Sequence, residues 1–155
     1  METPGPYHQA LIDKVIGLFS DNMPFNQLLG VTVKQASEQI YIDVPWQDTL
    51  TGNPMQKILH GGVTASLLDT IGGLVAITEA IKQTSVDALP TLEANLHNMG
   101  TIDMRVDYLR PGRGKRFIAT ATVIRKGSRV AVCRMELHNE QRDHIAFGTG
   151  TYMLS

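Results

Sequence analysis

The chain has 155 residues, 43% hydrophobic and 19% charged, which fits one globular domain with a real core and indicates neither disorder nor a fibrous repeat. Fourteen basic side chains stand against fifteen acidic ones, a formal net charge of -1, so no global positive field gathers nucleic acid or an anionic membrane. Any anion site has to be local.

From Tyr7 to Met23, apolar residues at Leu11, Ile12, Val15, Ile16 and Phe19 keep helical spacing, which predicts one short amphipathic helix ended by Asp21-Asn22 and Pro24. Gln27 to Pro45 reads as two extended runs, Gly30 to Gln35 and Gln39 to Val44, with a turn at Ala36-Ser37-Glu38. Asp48 to Lys57, polar and holding Gly52 and Pro54, reads as a loop. The longest helix expected runs from His60 to Gln83: Leu67, Leu68, Ile71, Leu74, Val75 and Ile81 form an apolar arc, and Ala65, Asp69, Gly72, Gly73 and Ala76 form a stripe of small residues with one charge. Thr84 to Met99 reads as a loop with a single helical turn.

Everything after Met99 reads as strand. Ile102, Met104, Val106 and Tyr108 alternate with Thr101, Asp103, Arg105 and Asp107, the second set suiting solvent; Phe117 to Ile124, Val130 to His138 and Ile145 to Met153 follow. Hairpin-length breaks between them predict an antiparallel meander of four strands. No apolar run approaches the roughly 20 residues a membrane helix needs, and METPGPYHQ lacks the basic and apolar regions of a signal peptide. The one cysteine, Cys133, shares a strand face with Ala131, Met135 and Leu137 and reads as a core thiol in a reducing cytoplasm. One sheet layer around one long helix leaves edge strands and a small-residue stripe that invite a symmetric partner, so at least a homodimer is expected.

His60-Gly61-Gly62 opens the long helix with a flexible turn whose backbone N–H groups, at the positive end of the helix dipole, can hold an oxyanion. Asp69 lies roughly 13 Å further along the axis at 1.5 Å per residue. If both act on one substrate, they come from two chains. Against this stand ordinary readings: glycines are common before helices, His60 can be a cap, and an acid on a helix usually faces water. The histidines, His8, His60, His97, His138 and His144, have no metal-ligand spacing with Cys133 or the acids, so no metal site is expected.

"NPMQKILHGGVTASLLDTIGG", "GTIDMRVDYLRPG" and "RKGSRVAVCRMEL" together resemble the hotdog-fold acyl-CoA thioesterases of the phenylacetate-degradation type, over about Phe25 to Met153, and most of all the small bacterial enzymes of fatty-acid metabolism that act on medium- and long-chain acyl-CoA. The resemblance implies an α+β fold, an antiparallel sheet wrapped around one long central helix, with residues 1–24 as an N-terminal helical extension and 25–155 as the thioesterase domain, assembled as a homodimer or a homotetramer. It implies hydrolysis of acyl-CoA without a cofactor. Asp69 takes the place of the nucleophile or general base, Gly61 that of the carbonyl-polarising N–H from the other subunit, and His60 orients the thioester end. The family's side-chain amide falls on Asn53, which lies seven residues before the histidine where six is usual, and Gln56 is the substitute. Thr101 falls where a small hydroxyl helps hold the attacking water.

Two basic turns, Arg110 to Arg116 and Arg125 to Arg129, hold seven of the fourteen basic residues. Such turns often serve solubility alone. The resemblance sets the nucleotide end of CoA against Tyr108, Leu109, Arg110 and Pro111 and against Ile124, Arg125, Lys126, Gly127, Ser128 and Arg129, where guanidinium and turn N–H groups suit phosphates. The alternative of another class is a non-catalytic acyl-CoA-binding or sensing module, which lacks here an attached output domain. A hotdog dehydratase would set its histidine beside a Phe-Pro-Gly stretch, which this sequence lacks.

Overall fold

The computed structural model describes residues 4–155. In chain order these form α1 (Pro6–Asp21), α2 (Pro24–Leu29), β1 (Thr32–Ala36), β2 (Gln39–Pro45), α3 (Gly61–Gln83), α4 (Leu89–Ala94), β3 (Gly100–Tyr108), β4 (Arg116–Lys126), β5 (Val130–Asn139) and β6 (His144–Met153), with single 3-10 turns at Asp48–Leu50, Val86–Ala88 and Leu96–Asn98. Pro6 and Pro24 each open a helix where the missing N–H has no partner to lose. Gly30, at φ 76, closes α2 in the left-handed conformation. That Pro24-to-Gly30 bracket makes a second short helix, ahead of the extended run that the sequence pattern starts at Gly30. The stretch from Thr84 to Met99 is likewise more helical than a loop with one turn, since α4 and two 3-10 turns follow one another there.

The sheet is antiparallel throughout and its strand order is β1-β2-β4-β5-β6-β3. The expected four-strand meander is therefore wrong at its first step: β4, β5 and β6 are neighbours in sequence, but β3 lies beyond β6 at the edge. Pairing of β4 with β2 explains the departure. Arg116 Nε and Nη2 donate to Asp43 Oδ1 and Oδ2 at 3.0 and 2.6 Å, and Lys34 Nζ joins at 2.5 Å. Ile42 and Val44 of β2 and Phe117 and Ala119 of β4 are fully buried side by side. Burial alone would raise the Asp43 pKa, but the hydrogen bonds and charges of Arg116 and Lys34 outweigh it and hold the carboxyl below its ordinary value.

The hotdog fold expected from the sequence is the fold observed, with α3 as the central helix wrapped by the six-stranded sheet. Helix α3 corrects one reading, for its 23 residues include an 18-residue window of mean hydropathy 1.4, long and apolar enough by composition to span a membrane. The sheet uses that apolarity: Leu67, Leu68, Ile71, Leu74 and Ile81 have no exposed surface and α3 packs on β4, β5 and β6. Helix α1 also packs on α3 and buries Leu11, Ile12 and Val15, each contributing about 1.5–3 kcal/mol relative to exposure. Cys133 is buried as expected, and burial pushes its thiol pKa up to about 11.

The small-residue stripe of α3 is only partly open to a second helix. Gly72 is filled from within, because a Cβ there would stand 2.2 Å from the Tyr152 hydroxyl, and Ala76 has no exposed surface. Gly72 is thus the imprint of a buried tyrosine.

Candidate active site

Asp69 stands half-buried on α3, and the Thr101 hydroxyl donates to its Oδ1 at 2.8 Å. Strict alternation along β3 would have turned Thr101 outward with Asp103, Arg105 and Asp107. A β-bulge prevents this: Asp103 pairs with Thr151 and Thr101 with Tyr152, leaving Ile102 as the extra residue. One inserted residue inverts the facing of everything before it, so Thr101 points at the helix. The phenol of Tyr152 donates to the Asp69 carbonyl oxygen at 3.2 Å. Burial, and next the nearby Asp69 charge, raise the phenol pKa far above its usual value, which keeps it a donor. Sequence reasoning missed Tyr152, although Gly72-Gly73 was its signal: adjacent glycines on a helix mark close approach of something bulky, and that something is this ring.

A cavity of about 300 Å³ opens against Asp69 and Thr101, walled by Gly73 and Ile77 of α3, by Tyr152 and by apolar side chains of α1.

The start of α3 forms a second locus. His60 is the helix N-cap, its Nδ1 accepting the Gly62 N–H at 2.8 Å. That leaves the Gly61 N–H, which donates to no acceptor among the described residues. The Tyr108 hydroxyl donates to the Gly61 carbonyl at 2.7 Å. Asn53 Oδ1 accepts the Met55 N–H at 2.9 Å in an Asx turn, and Gln56 Oε1 accepts from Arg113 Nη2 at 2.5 Å. Both amides lie on the loop leading to His60.

The residues set against CoA divide in the same way. Tyr108, Leu109, Arg110 and Pro111 line a shallow cleft with Gly61 and Leu59. Ile124, Arg125 and Lys126 line a wider one along the second half of α3, with Thr78, Glu79 and Lys82, and Ile124 is itself a bulge residue, 61% exposed. In the Gly127-Ser128-Arg129 turn, the Arg129 carbonyl accepts the N–H of Leu154, a residue of the Asp69 cavity. One chain does not bring the groups together. Gly61 and Asp69 are eight residues apart on α3, about 12 Å, and their partners Tyr108 and Thr101 are seven apart on β3, about 23 Å.

Residues 56–146 match the thioesterase superfamily. The chain belongs to that superfamily. Among thioesterases it is 45% identical over 148 residues to the medium/long-chain acyl-CoA thioesterase YigI of Escherichia coli (strain K12), and 46% identical over 149 residues to YigI of Salmonella typhimurium (strain LT2), with 94% of both chains covered in each case. A crystal structure from Shewanella oneidensis, described as related to the thioesterase superfamily, is 47% identical with a TM-score of 0.93, covering 97% of this chain and 99% of that one. This thioesterase chain keeps its Asp69-Thr101 pair, its Gly61 turn and Tyr108 all inside the matched span.

Proposed function

We propose that the protein hydrolyses acyl-CoA thioesters carrying medium to long acyl chains, in the cytoplasm, as at least a homodimer whose active site is shared between subunits. The observation that carries the reading is the pair of hydrogen bonds tying the two ends of β3 to α3, Thr101 to Asp69 and Tyr108 to Gly61. β3 is an edge strand of nine residues, an open template for pairing. A two-fold axis passing between Met104 and Arg105 sets Thr101 of one chain opposite Tyr108 of the other. The Asp69 of one subunit then faces the Gly61 N–H of its partner, and the separation within one chain becomes proximity between two.

In that arrangement Asp69 acts as general base. Thr101 occupies Oδ1, leaving Oδ2 to take a proton from water. The water oxygen adds to the thioester carbon, the Gly61 N–H at the positive end of α3 stabilises the oxyanion, and collapse breaks the C–S bond. The thiolate takes the proton that Asp69 had accepted and leaves as CoA, which restores the base, and the acid remains. His60 would orient the thioester end, Asn53 or in its place Gln56 would supply the side-chain amide, and the basic turns would hold the nucleotide. The close identity to YigI proteins supports the substrate class.

Thioester hydrolysis followed with a thiol-trapping dye across CoA esters of rising length tests the activity, and no release with any ester refutes it. A single turnover in ¹⁸O-water tests the role of Asp69: the label enters the released acid if Asp69 is a base, and Asp69 itself if it is a nucleophile.

A further inference from the structure

We infer that the cavity between α1 and α3 is the acyl channel of the substrate and that α1 and Ile77 set the chain length it accepts; this rests on the thioesterase reading. The channel begins at the Asp69 carboxylate and follows α3 past Gly73 to Ile77. These three residues, each four apart, share one helix face, and they span about 12 Å. Asp69 is the one charged residue of the lining among the described residues; Thr70, Thr101 and Tyr152 add hydroxyls, and the rest of the walls is apolar side chain and glycine. A polar reactive end with an apolar extension is complementary to a thioester bearing an alkyl chain.

Helix α1 forms the far wall and runs antiparallel to α3. Near its start, His8 Nε2 lies 2.7 Å from the Thr84 carbonyl, past the end of α3. Near its end, Asn26, with no exposed surface, donates to the Phe19 carbonyl at 3.0 Å and stands 3.5 Å from the Thr70 hydroxyl. Phe19 is thereby set beside the mouth and Val15 beside the deep end at Ile77. Carbon–carbon bonds of about 1.5 Å at about 111° advance roughly 1.25 Å each, so 12 Å takes about ten carbons. Each methylene buried there contributes about fourfold to kcat/KM, the equivalent of about 0.8 kcal/mol.

The test is the profile of kcat/KM over saturated acyl-CoA esters from four to sixteen carbons. The unaltered protein should climb to an optimum near ten carbons. Gly73→Val should narrow the channel about 6 Å from Asp69, its Cβ meeting Tyr152 at an ordinary 3.6 Å. It should lower the ratio of decanoyl-CoA to butyryl-CoA hydrolysis fiftyfold or more. Ile77→Ala should move the optimum up by at least two carbons, and Val15→Met, reaching in from α1, should move it down. Profiles unchanged in folded Gly73→Val and Ile77→Ala proteins overturn the channel, and one unchanged in Val15→Met overturns the part given to α1. If the unaltered protein hydrolyses no ester, the thioesterase reading has failed, and the channel is judged by free decanoate. Decanoate should then raise the melting temperature of the unaltered protein but not of Gly73→Val, and equal shifts or none overturn it.

Discussion

The Thr101 hydroxyl reaches Asp69 Oδ1 at 2.8 Å only because the bulge at Ile102 turns Thr101 away from the face occupied by Asp103. The acid is therefore oriented by a strand, not by its own helix. Asp69→Asn, which keeps the shape but cannot take a proton, should lower kcat a hundredfold or more with little change in melting temperature. Thr101→Val should lower kcat by about tenfold to a hundredfold, the equivalent of one hydrogen bond to a charged group, and Thr101→Ser should recover most of it. Equal activity of the Val and Ser variants would show that the hydroxyl is a bystander.

The division of the site between the two ends of β3 predicts complementation. Gly61→Pro removes the proposed oxyanion donor with little disturbance, since proline suits the first helical position and His60 at φ -58, ψ 136 already has the extended conformation that precedes it. Gly61→Pro and Asp69→Asn proteins, each inactive, should regain activity when mixed as hybrid dimers, because one of the two sites then holds both intact groups. Verified hybrids with no activity would rule out the shared site.

The basic turns should bind the nucleotide without taking part in the chemistry. Arg110 and Arg129 are exposed, and replacing both with Ala should raise KM for acyl-CoA severalfold while kcat stays nearly constant, the mark of uniform binding. Added salt should shrink the difference, since exposed pairs are screened over about 8 Å at physiological ionic strength. An acyl-pantetheine, lacking the nucleotide, should be hydrolysed alike by the variant and the parent. An equal KM defect on both substrates would assign these arginines to the fold.

The central helix, most strand bounds and the buried face of Cys133 were legible because each rests on periodicity over many residues. The strand order was not. Nothing local in Pro111 to Gly114 distinguishes a hairpin from the crossing that carries the chain from one side of the sheet to the other; the Arg116-Asp43 pair decides it, across 73 positions. The facing of Thr101 was hidden for a related reason, since a bulge shows only when the partner strand is known. In Gly72-Gly73 the closeness was readable, but the identity of the neighbour, Tyr152 some 80 residues on, was not.

The Asp43 cluster predicts an acid-dependent loss of stability. Because its pKa is lower folded than unfolded, the stabilisation is fully present above the ordinary aspartate value near 4 and is lost as pH falls through the folded value. Asp43→Asn should thus cost about 1–2 kcal/mol at pH 7, a figure reduced by the exposure of Lys34 and Arg116. Denaturant titrations should show the gap closing below about pH 4. A gap that stays constant down to pH 2 would mean that packing at β2, not charge, holds β4 in place.

Cys133 makes the molecule its own stopwatch. With no exposed surface and a thiol held near pKa 11, it is shut off from disulfide reagents while the sheet is closed, so a dye that counts released CoA reads product against a silent enzyme. The same silence ends when β5 comes away from α3, and the rate at which the single thiol is then captured times the opening of the core, in the cuvette that measures turnover.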